Sequence, residues 1–237
     1  MLLLLAFTII YASDTSETFP VSEYYSYDNA IPLRDSITLL KDTTDYTLYH
    51  VTYNSVHDKK VTGLLSLPKN SSAPLPVVIL MHGLGDQKNV DYVAYGNDLL
   101  LKNGYAVLRL DFSNHGERKK EVYDFSLTGK YKHWSRNVIS QTVFDLRRAV
   151  DFIETREELN AQRIGYYGIS LGGITGTVFC GVESRVKVPI VALAGGQMNL
   201  LYEKDALTDE AKNFVSFIEP LNYVKSIAPR PFLMLNA

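Results

Sequence analysis

The sequence predicts an α/β fold in which a mostly parallel, doubly wound sheet is preceded by an antiparallel N-terminal hairpin. Three observations predict it: two strand-like stretches flank a polar turn, continuously apolar runs recur from residue 77 onwards, and helical segments separate those runs. With 237 residues, of which 46% are hydrophobic, the chain is long enough to bury one sizeable core.

The hairpin is the first predicted element. Residues 49–53 and 61–67 resemble paired strands, the polar turn 57–60 separates them, and Pro68 closes the second. The residues before the hairpin are polar and rich in tyrosine, with little periodicity. We therefore interpret 14–46 as an N-terminal extension and place the folded domain at 47–237.

A short apolar block, residues 2–10, opens the chain. It is well below the ~20 residues that a membrane-spanning helix needs, so no stable membrane span is predicted. Its length fits the core of a secretory signal peptide over residues 1–13, with Ala12 as a cleavage residue, and this predicts export. No Lys or Arg precedes the block, and the alternative is a buried N-terminal strand or helix.

Buried strands and helices are predicted to alternate through the rest of the chain. The apolar runs typical of strands covered on both faces are 77–81, 105–110, 163–167, 188–194 and 232–235. The clearest helix spans about 138–157, because apolar side chains repeat along it at helical spacing: Ile139, Val143, Leu146, Val150 and Ile153. This alternation predicts a parallel sheet with helices on both faces.

A glycine-rich turn follows the third of these strands. Gly168-Ile169-Ser170-Leu171-Gly172 fits the pattern G-x-S-x-G, with a strand before it and a helix-compatible stretch, 174–178, after it. In such a nucleophile elbow the serine hydroxyl is lifted above the sheet, and the positions two before and two after must be small. The alternative is a glycine-rich loop that matches by accident. The spacing does not fit a dinucleotide fingerprint.

A second motif lies after the first apolar strand, where His82-Gly83-Leu84-Gly85 reads HGLG. Serine hydrolases with this strand order place an oxyanion donor there. The backbone N–H groups of Leu84 and Leu171 are therefore the predicted oxyanion hole. We interpret His82 as a loop-packing residue, because in this arrangement the catalytic histidine follows the serine.

With these motifs, the sequence resembles the α/β-hydrolases, closest to the dienelactone hydrolase, acetyl xylan esterase and prolyl-oligopeptidase-like branches. The resemblance extends from about Tyr49 to the end, through HGLG, the segment DFSNHG at 111–116, and GISLGG at 168–173. It implies attack by Ser170 on a carboxyl ester, through an acyl-enzyme. The family often has Arg-Gly where this chain has Ser113-Asn114; asparagine tolerates left-handed backbone, so the turn is expected to persist.

The rest of the catalytic triad is missing after Ser170. All five histidines precede it, at 50, 57, 82, 115 and 133, and the acids Asp205 and Asp209 fall in a lid-like helical insert at about 197–224. The family takes its acid and histidine from loops after the last predicted strand. We therefore expect a chain that is C-terminally incomplete, without the final strand and helices, and inactive as it stands.

Composition limits the other classes of function. The net charge of −2 and the pI near 6.2 predict no nucleic-acid binding, and a single cysteine, Cys180, permits no internal disulfide. No metal or organic cofactor is implied, and the expected partner is a small-molecule or carbohydrate ester. Two alternatives stay open: a noncatalytic binding protein of the same fold, and a related serine peptidase. Oligomeric state is not predicted.

Overall fold

The structure is a computed structural model that describes residues 21–69, 71–72 and 74–236. Within these ranges eight strands form one sheet in the order β1-β2-β3-β5-β4-β6-β7-β8. The strands are β1 Ser36–Asp42, β2 Tyr46–Asn54, β3 Lys60–Pro68, β4 Leu75–Met81, β5 Ala106–Leu110, β6 Leu159–Ile169, β7 Val186–Ala192 and β8 Leu233–Leu235. The signal peptide predicted at 1–13 lies outside the described residues.

The sheet is mixed, and its register determines where the loops meet. β1, β2, β3 and β5 pair antiparallel in succession, whereas β5, β4, β6, β7 and β8 are parallel. Met81 is the register partner of both Leu110 and Gly168. The carboxyl ends of β5, β4 and β6 therefore lie side by side, and we call this side of the sheet the carboxyl edge. The predicted fold class is confirmed.

Strand β1 lies within the segment predicted to be an N-terminal extension. It pairs with β2 along Ser36–Asp42, so the sheet begins before the predicted boundary at residue 47. Nearly every side chain of β1 is exposed, including Leu39 and Leu40. An edge strand that buries neither face has no reason to alternate apolar and polar residues, which explains why periodicity did not predict it.

Helices cover both faces of the sheet. They are α1 Asp91–Lys102, α2 Lys132–Glu154, α3 Leu171–Val182 and α4 Asp209–Val215. Leu80 of β4 packs in a cluster with Val93 of α1, whereas Ile79 and Met81 face the larger core formed with α2 and α3. The predicted apolar stripe of α2 is buried along its whole length. None of the helices in the described ranges is long and apolar enough to cross a membrane.

The insert predicted at 197–224 packs against α2 and the loop that precedes it. It contains α4 and the short 3₁₀-helices Met198–Asp205 and Pro220–Asn222, and a further 3₁₀-helix, Val224–Ile227, follows it. Phe214 of α4 contacts the His133 ring of α2, and the Tyr202 hydroxyl donates to the Leu127 carbonyl at 2.7 Å. These aromatic side chains attach the insert to its neighbours.

Cys180 lies in the last turn of α3. Its side chain is fully buried, and burial raises the pKa of the thiol well above its usual value. A protonated, inaccessible thiol is a poor nucleophile. The residue is a small apolar element of the core.

Candidate active site

Ser170 occupies the junction between β6 and α3 in an unusual backbone conformation. Its φ of 54° and ψ of −117° lie in a region that residues with a Cβ rarely adopt. Two hydrogen bonds hold it there: the Ser170 N–H donates to the Ala192 carbonyl at 2.8 Å, and its carbonyl accepts from the Ile174 N–H at 3.0 Å. The sharp turn predicted from G-x-S-x-G is therefore present at the carboxyl edge.

The elbow glycines are required by close backbone approaches. A Cβ on Gly172 would lie 2.7 Å from the His82 carbonyl oxygen, and one on Gly168 would lie 2.6 Å from the Gly172 carbonyl carbon. Gly176, one turn into α3, packs directly on the Tyr166 ring. Every one of these contacts is closer than a real Cβ tolerates, so a larger residue would displace the backbone that carries Ser170.

The loop after β4 lies against the serine. A Cβ on Gly83 would be 3.5 Å from the Ser170 Cβ, which places the His82–Gly85 backbone beside the side chain of Ser170. The next residue, Leu84, has an exposed side chain, and Leu171 begins α3. In the part of the chain that the structure describes, no hydrogen bond uses the N–H of Leu84 or Leu171. Both amides remain available as donors.

The side chain of His82 holds this loop in place through two hydrogen bonds. Its side chain is fully buried, its Nδ1–H donates to the Gly83 carbonyl at 2.7 Å, and its Nε2 accepts from the Phe112 N–H at 3.3 Å. Burial lowers the pKa of His82 from 6.5 to about 4. The imidazole is neutral at pH 7, and its contacts are those of a packing residue.

The free energy of unfolding should depend on pH because the pKa of His82 is lower in the folded protein than in the unfolded chain. Its folded-state pKa lies below the unfolded value, so the unfolded chain takes up a proton first as the pH falls from 6.5 towards 4. We expect the free energy of unfolding to be about 2 kcal/mol lower at pH 5 than at pH 7. Urea unfolding at the two pH values measures the difference.

His82→Gln provides the control, because its amide can make both hydrogen bonds without titrating. The variant should lose less stability between pH 7 and pH 5. Burial also lowers the pKa of His115, so a smaller dependence of the same sign should remain. Equal pH dependence in the two proteins would contradict the assignment to His82.

A tyrosine and an aspartate that sequence reasoning missed support the same loop. The Gly83 N–H donates to the Tyr92 hydroxyl oxygen at 2.7 Å, and that hydroxyl donates to Asp86 Oδ2 at 2.8 Å. Burial raises the pKa of Tyr92 to about 12, so the hydroxyl keeps its proton at neutral pH. No motif signals this pair, because it depends on how the first turn of α1 faces the loop.

Tyr92→Phe should loosen the loop. The change removes two hydrogen bonds, one of them to a carboxylate, and we expect the free energy of unfolding to fall by about 1 kcal/mol. Hydrogen exchange should show a faster-exchanging Gly83 amide. The matched control is Tyr95→Phe on the same helix, since Tyr95 is 67% exposed. Unchanged exchange at Gly83 would show that the hydroxyl does not hold the loop.

The loop after β5 is fixed by a buried ion network around Asp111. The Asp111 carboxylate accepts hydrogen bonds from Lys88 Nζ at 2.5 Å and from Thr62 Oγ1 at 2.9 Å. Lys88 also pairs with Glu117 at 2.6 Å, and Glu117 reaches His50 at 2.8 Å. The network joins β2, β3 and the loops after β4 and β5.

The turn at Ser113-Asn114 persists as expected. Asn114 has a φ of 55°, and its Oδ1 accepts from the N–H groups of Lys120 and Glu121, each at 2.9 Å. Asparagine adopts this left-handed conformation more readily than most residues.

Within the described residues, no histidine hydrogen-bonds the Ser170 side chain. Each of the five histidines makes other contacts within the described residues: His50 with Glu117, His57 with Gln141, His82 with Gly83, His115 with Ser113, and His133 with Phe214. Asp205 and Asp209 are exposed in the insert. Searching the described ranges also finds no cluster of three or more His, Cys, Asp or Glu that could hold a metal ion.

The fold and the elbow agree with the family comparison. Residues 76–217, more than half of the chain, match the family described as alpha/beta hydrolase fold. The chain belongs to this family.

Individual curated relatives share about a quarter of their aligned residues with this chain. YtaP of Bacillus subtilis (strain 168), provisionally named a hydrolase, is 27% identical over an alignment of 191 residues, and the match covers 71% of this chain. The chain covers only 61% of the length of YtaP. An uncharacterized 31.7 kDa Escherichia coli protein from the traX-finO intergenic region is 27% identical over 148 residues, 62% of this chain and 46% of its own length.

Two solved structures show the same fold. The acetyl xylan esterase from Paenibacillus sp. R4 has a TM-score of 0.62 at 19% identity, covering 91% of this chain and 84% of its own. The glucuronoyl esterase from Solibacter usitatus has a TM-score of 0.63 at 15% identity, covering 91% of this chain and 72% of its own.

Proposed function

We propose that the protein is a serine hydrolase that cleaves carboxyl esters through an acyl-enzyme on Ser170. One observation carries the proposal: Ser170 adopts a positive φ at a strand-to-helix turn on the carboxyl edge, with the Gly83 backbone against its Cβ. A strained serine in this position is expected where the hydroxyl must reach a substrate.

The proposed chemistry begins with attack of the Ser170 hydroxyl oxygen on the ester carbonyl carbon. The carbonyl oxygen gains negative charge as the tetrahedral intermediate forms. The N–H groups of Leu84 and Leu171 are the proposed donors to that oxygen, since neither donates elsewhere in the described part of the chain. One such donor typically stabilises a transition state by ~3 kcal/mol. Expulsion of the alcohol leaves the acyl group on Ser170, and water then releases it.

Proton transfer from Ser170 requires a general base. None of the five histidines, all of them within the described residues, hydrogen-bonds Ser170, and this supports the proposal that none of them is that base. We therefore propose that these 237 residues alone hydrolyse esters poorly.

The substrate class follows from the neighbours by analogy. The two solved structures named above are, by their titles, an acetyl xylan esterase and a glucuronoyl esterase. Both titles name enzymes by a carbohydrate ester: acetylated xylan in one and a glucuronoyl ester in the other. We propose a small-molecule or carbohydrate ester as the substrate, and no cofactor enters the scheme.

Covalent labelling tests the proposal. We expect a fluorophosphonate probe to modify Ser170 of the native gene product, with the labelled peptide identified by mass spectrometry. Ser170→Ala should abolish labelling, and Ser216→Ala, at a half-buried serine that follows α4, should not change it. A native gene product that hydrolyses p-nitrophenyl esters but is not labelled at Ser170 would refute the proposal.

A second function is favoured by the placement of the histidines. With every one of them engaged elsewhere, the same fold can serve as a noncatalytic binding protein. A panel of p-nitrophenyl esters distinguishes the two, because a binding protein would show no turnover above background. Including dipeptide amides in the panel tests the related peptidase.

A further inference from the structure

Three aromatic side chains form a cluster near the start of α2. The ring centroids of Tyr123 and Tyr131 are 5.4 Å apart, those of Tyr123 and Trp134 5.5 Å, and those of Tyr131 and Trp134 6.1 Å. Trp134 is 51% exposed and is the single tryptophan of the chain. Isolated exposed apolar residues are common, but a cluster of rings with an open face marks a candidate binding surface.

The cluster borders a cleft of about 880 Å³, the size of a site for a small ligand. One wall is a single face of α2, because its lining residues recur every three or four positions: Trp134, Asn137, Gln141 and Phe144. The turn between β2 and β3 and the loop after β5 form the opposite wall, which includes Lys60, Asn114 and Tyr123.

The cleft lies on the same side of the sheet as Ser170. Helix α2 connects the carboxyl end of β5 to the amino end of β6, so its first turn, which holds Trp134, starts at the carboxyl edge. Ser113, which lines the cleft, follows Phe112, and Phe112 packs on the His82 ring next to Gly83. The loop after β5 therefore lines the cleft and also packs on the loop after β4, which lies against Ser170.

The chemistry of the lining favours a neutral, polyhydroxylated ligand. The lining carries charges of both signs, including Lys59, Lys60, Asp58 and Glu121, so no strongly charged ligand is selected. The exposed Asn137 amide offers both a donor and an acceptor. Sugar rings combine apolar C–H faces, which stack on aromatic rings, with hydroxyl groups at their edges. A purely apolar acyl chain would leave the polar groups of this wall without partners.

We propose that this cleft binds the saccharide portion of a carbohydrate ester, with Trp134 and Tyr123 as the stacking surfaces. The proposal deepens the proposed function by naming the substrate class, and rests on it only for that purpose. Binding itself requires neither Ser170 nor a general base.

The single tryptophan makes the test direct. Titrating the 237-residue chain with xylohexaose, a neutral β-linked oligosaccharide, should change the Trp134 fluorescence with saturation in the range of about 1 mM. Calorimetry should give the same affinity. Ser170→Ala should bind equally well, which separates failure of this proposal from failure of the proposed hydrolysis.

Variants identify the surface. Trp134→Ala should weaken binding in calorimetry by about tenfold, and Trp134→Phe, which keeps a stacking ring, should lose less. Tyr95→Ala, another exposed aromatic residue that does not line the cleft, should leave affinity unchanged. Absence of binding up to roughly 10 mM, or equal binding by Trp134→Ala, would overturn the proposal.

Discussion

Replacing Ser170 with alanine in the native gene product is expected to lower kcat/KM for p-nitrophenyl acetate by about 10⁴-fold or more. The hydroxyl oxygen is the proposed nucleophile, so its removal leaves only substrate binding and oxyanion stabilisation. The oxyanion donors are backbone amides that the substitution does not touch. A variant retaining most of the activity would show that another group attacks the ester.

The fold of the variant is the necessary control for this result. Ser170→Ala keeps the Cβ and therefore the strain of a positive φ, so its stability should be close to that of the parent. Ser170→Gly should be equally inactive but more stable by about 1 kcal/mol, because glycine adopts this conformation freely. Circular dichroism and urea unfolding distinguish these outcomes from loss of activity through misfolding.

Gly168→Ala is expected to cause the largest loss of stability. The added Cβ would lie 2.6 Å from the Gly172 carbonyl carbon. The position of the Cβ is fixed by the backbone of residue 168, and the carbonyl carbon is itself a backbone atom of the elbow. Neither side of the contact can rotate away. We expect the free energy of unfolding to fall by about 3 kcal/mol or more, at the upper end of overpacking effects, as measured by urea unfolding.

Gly165→Ala is the matched control, three residues earlier on β6. The nearest atom to its added Cβ would be Val78 Cγ2 at 3.5 Å, which is an ordinary van der Waals contact. Alanine also restricts the unfolded chain more than glycine, so this variant should match or exceed the parent in stability. Similar losses in the two variants would mean that the requirement for glycine belongs to the strand rather than to the turn.

Much of the fold was predictable because the core strands and α2 bury continuous or periodic apolar faces. The five apolar runs all became strands, and the stripe from Ile139 to Ile153 is buried. Burial on both faces was wrong for the last run, since every side chain of β8 is exposed. Strand β1 was missed for the opposite reason, since its exposed side chains carry no pattern. A strand or helix can be predicted from sequence when its burial requires apolar side chains at regular positions.

The site was predictable only where local geometry dictates residue type. The elbow required small residues at 168 and 172, and asparagine at 114 suited a left-handed turn. The Tyr92–Asp86 support of Gly83 could not be predicted, because two hydrogen bonds to one hydroxyl leave no recurrent spacing in the chain. The same holds for the link from Lys88 to Asp111, which depends on the pairing of distant loops.

The inaccessible thiol at position 180 makes local opening of the protein measurable by its rate of chemical modification. Because it is the single cysteine and sits in the helix that begins with the Leu171 amide, a thiol reagent can react only when that helix separates from its neighbours. The rate of modification would therefore report how often the last turn of α3, at the end opposite Ser170, opens to solvent.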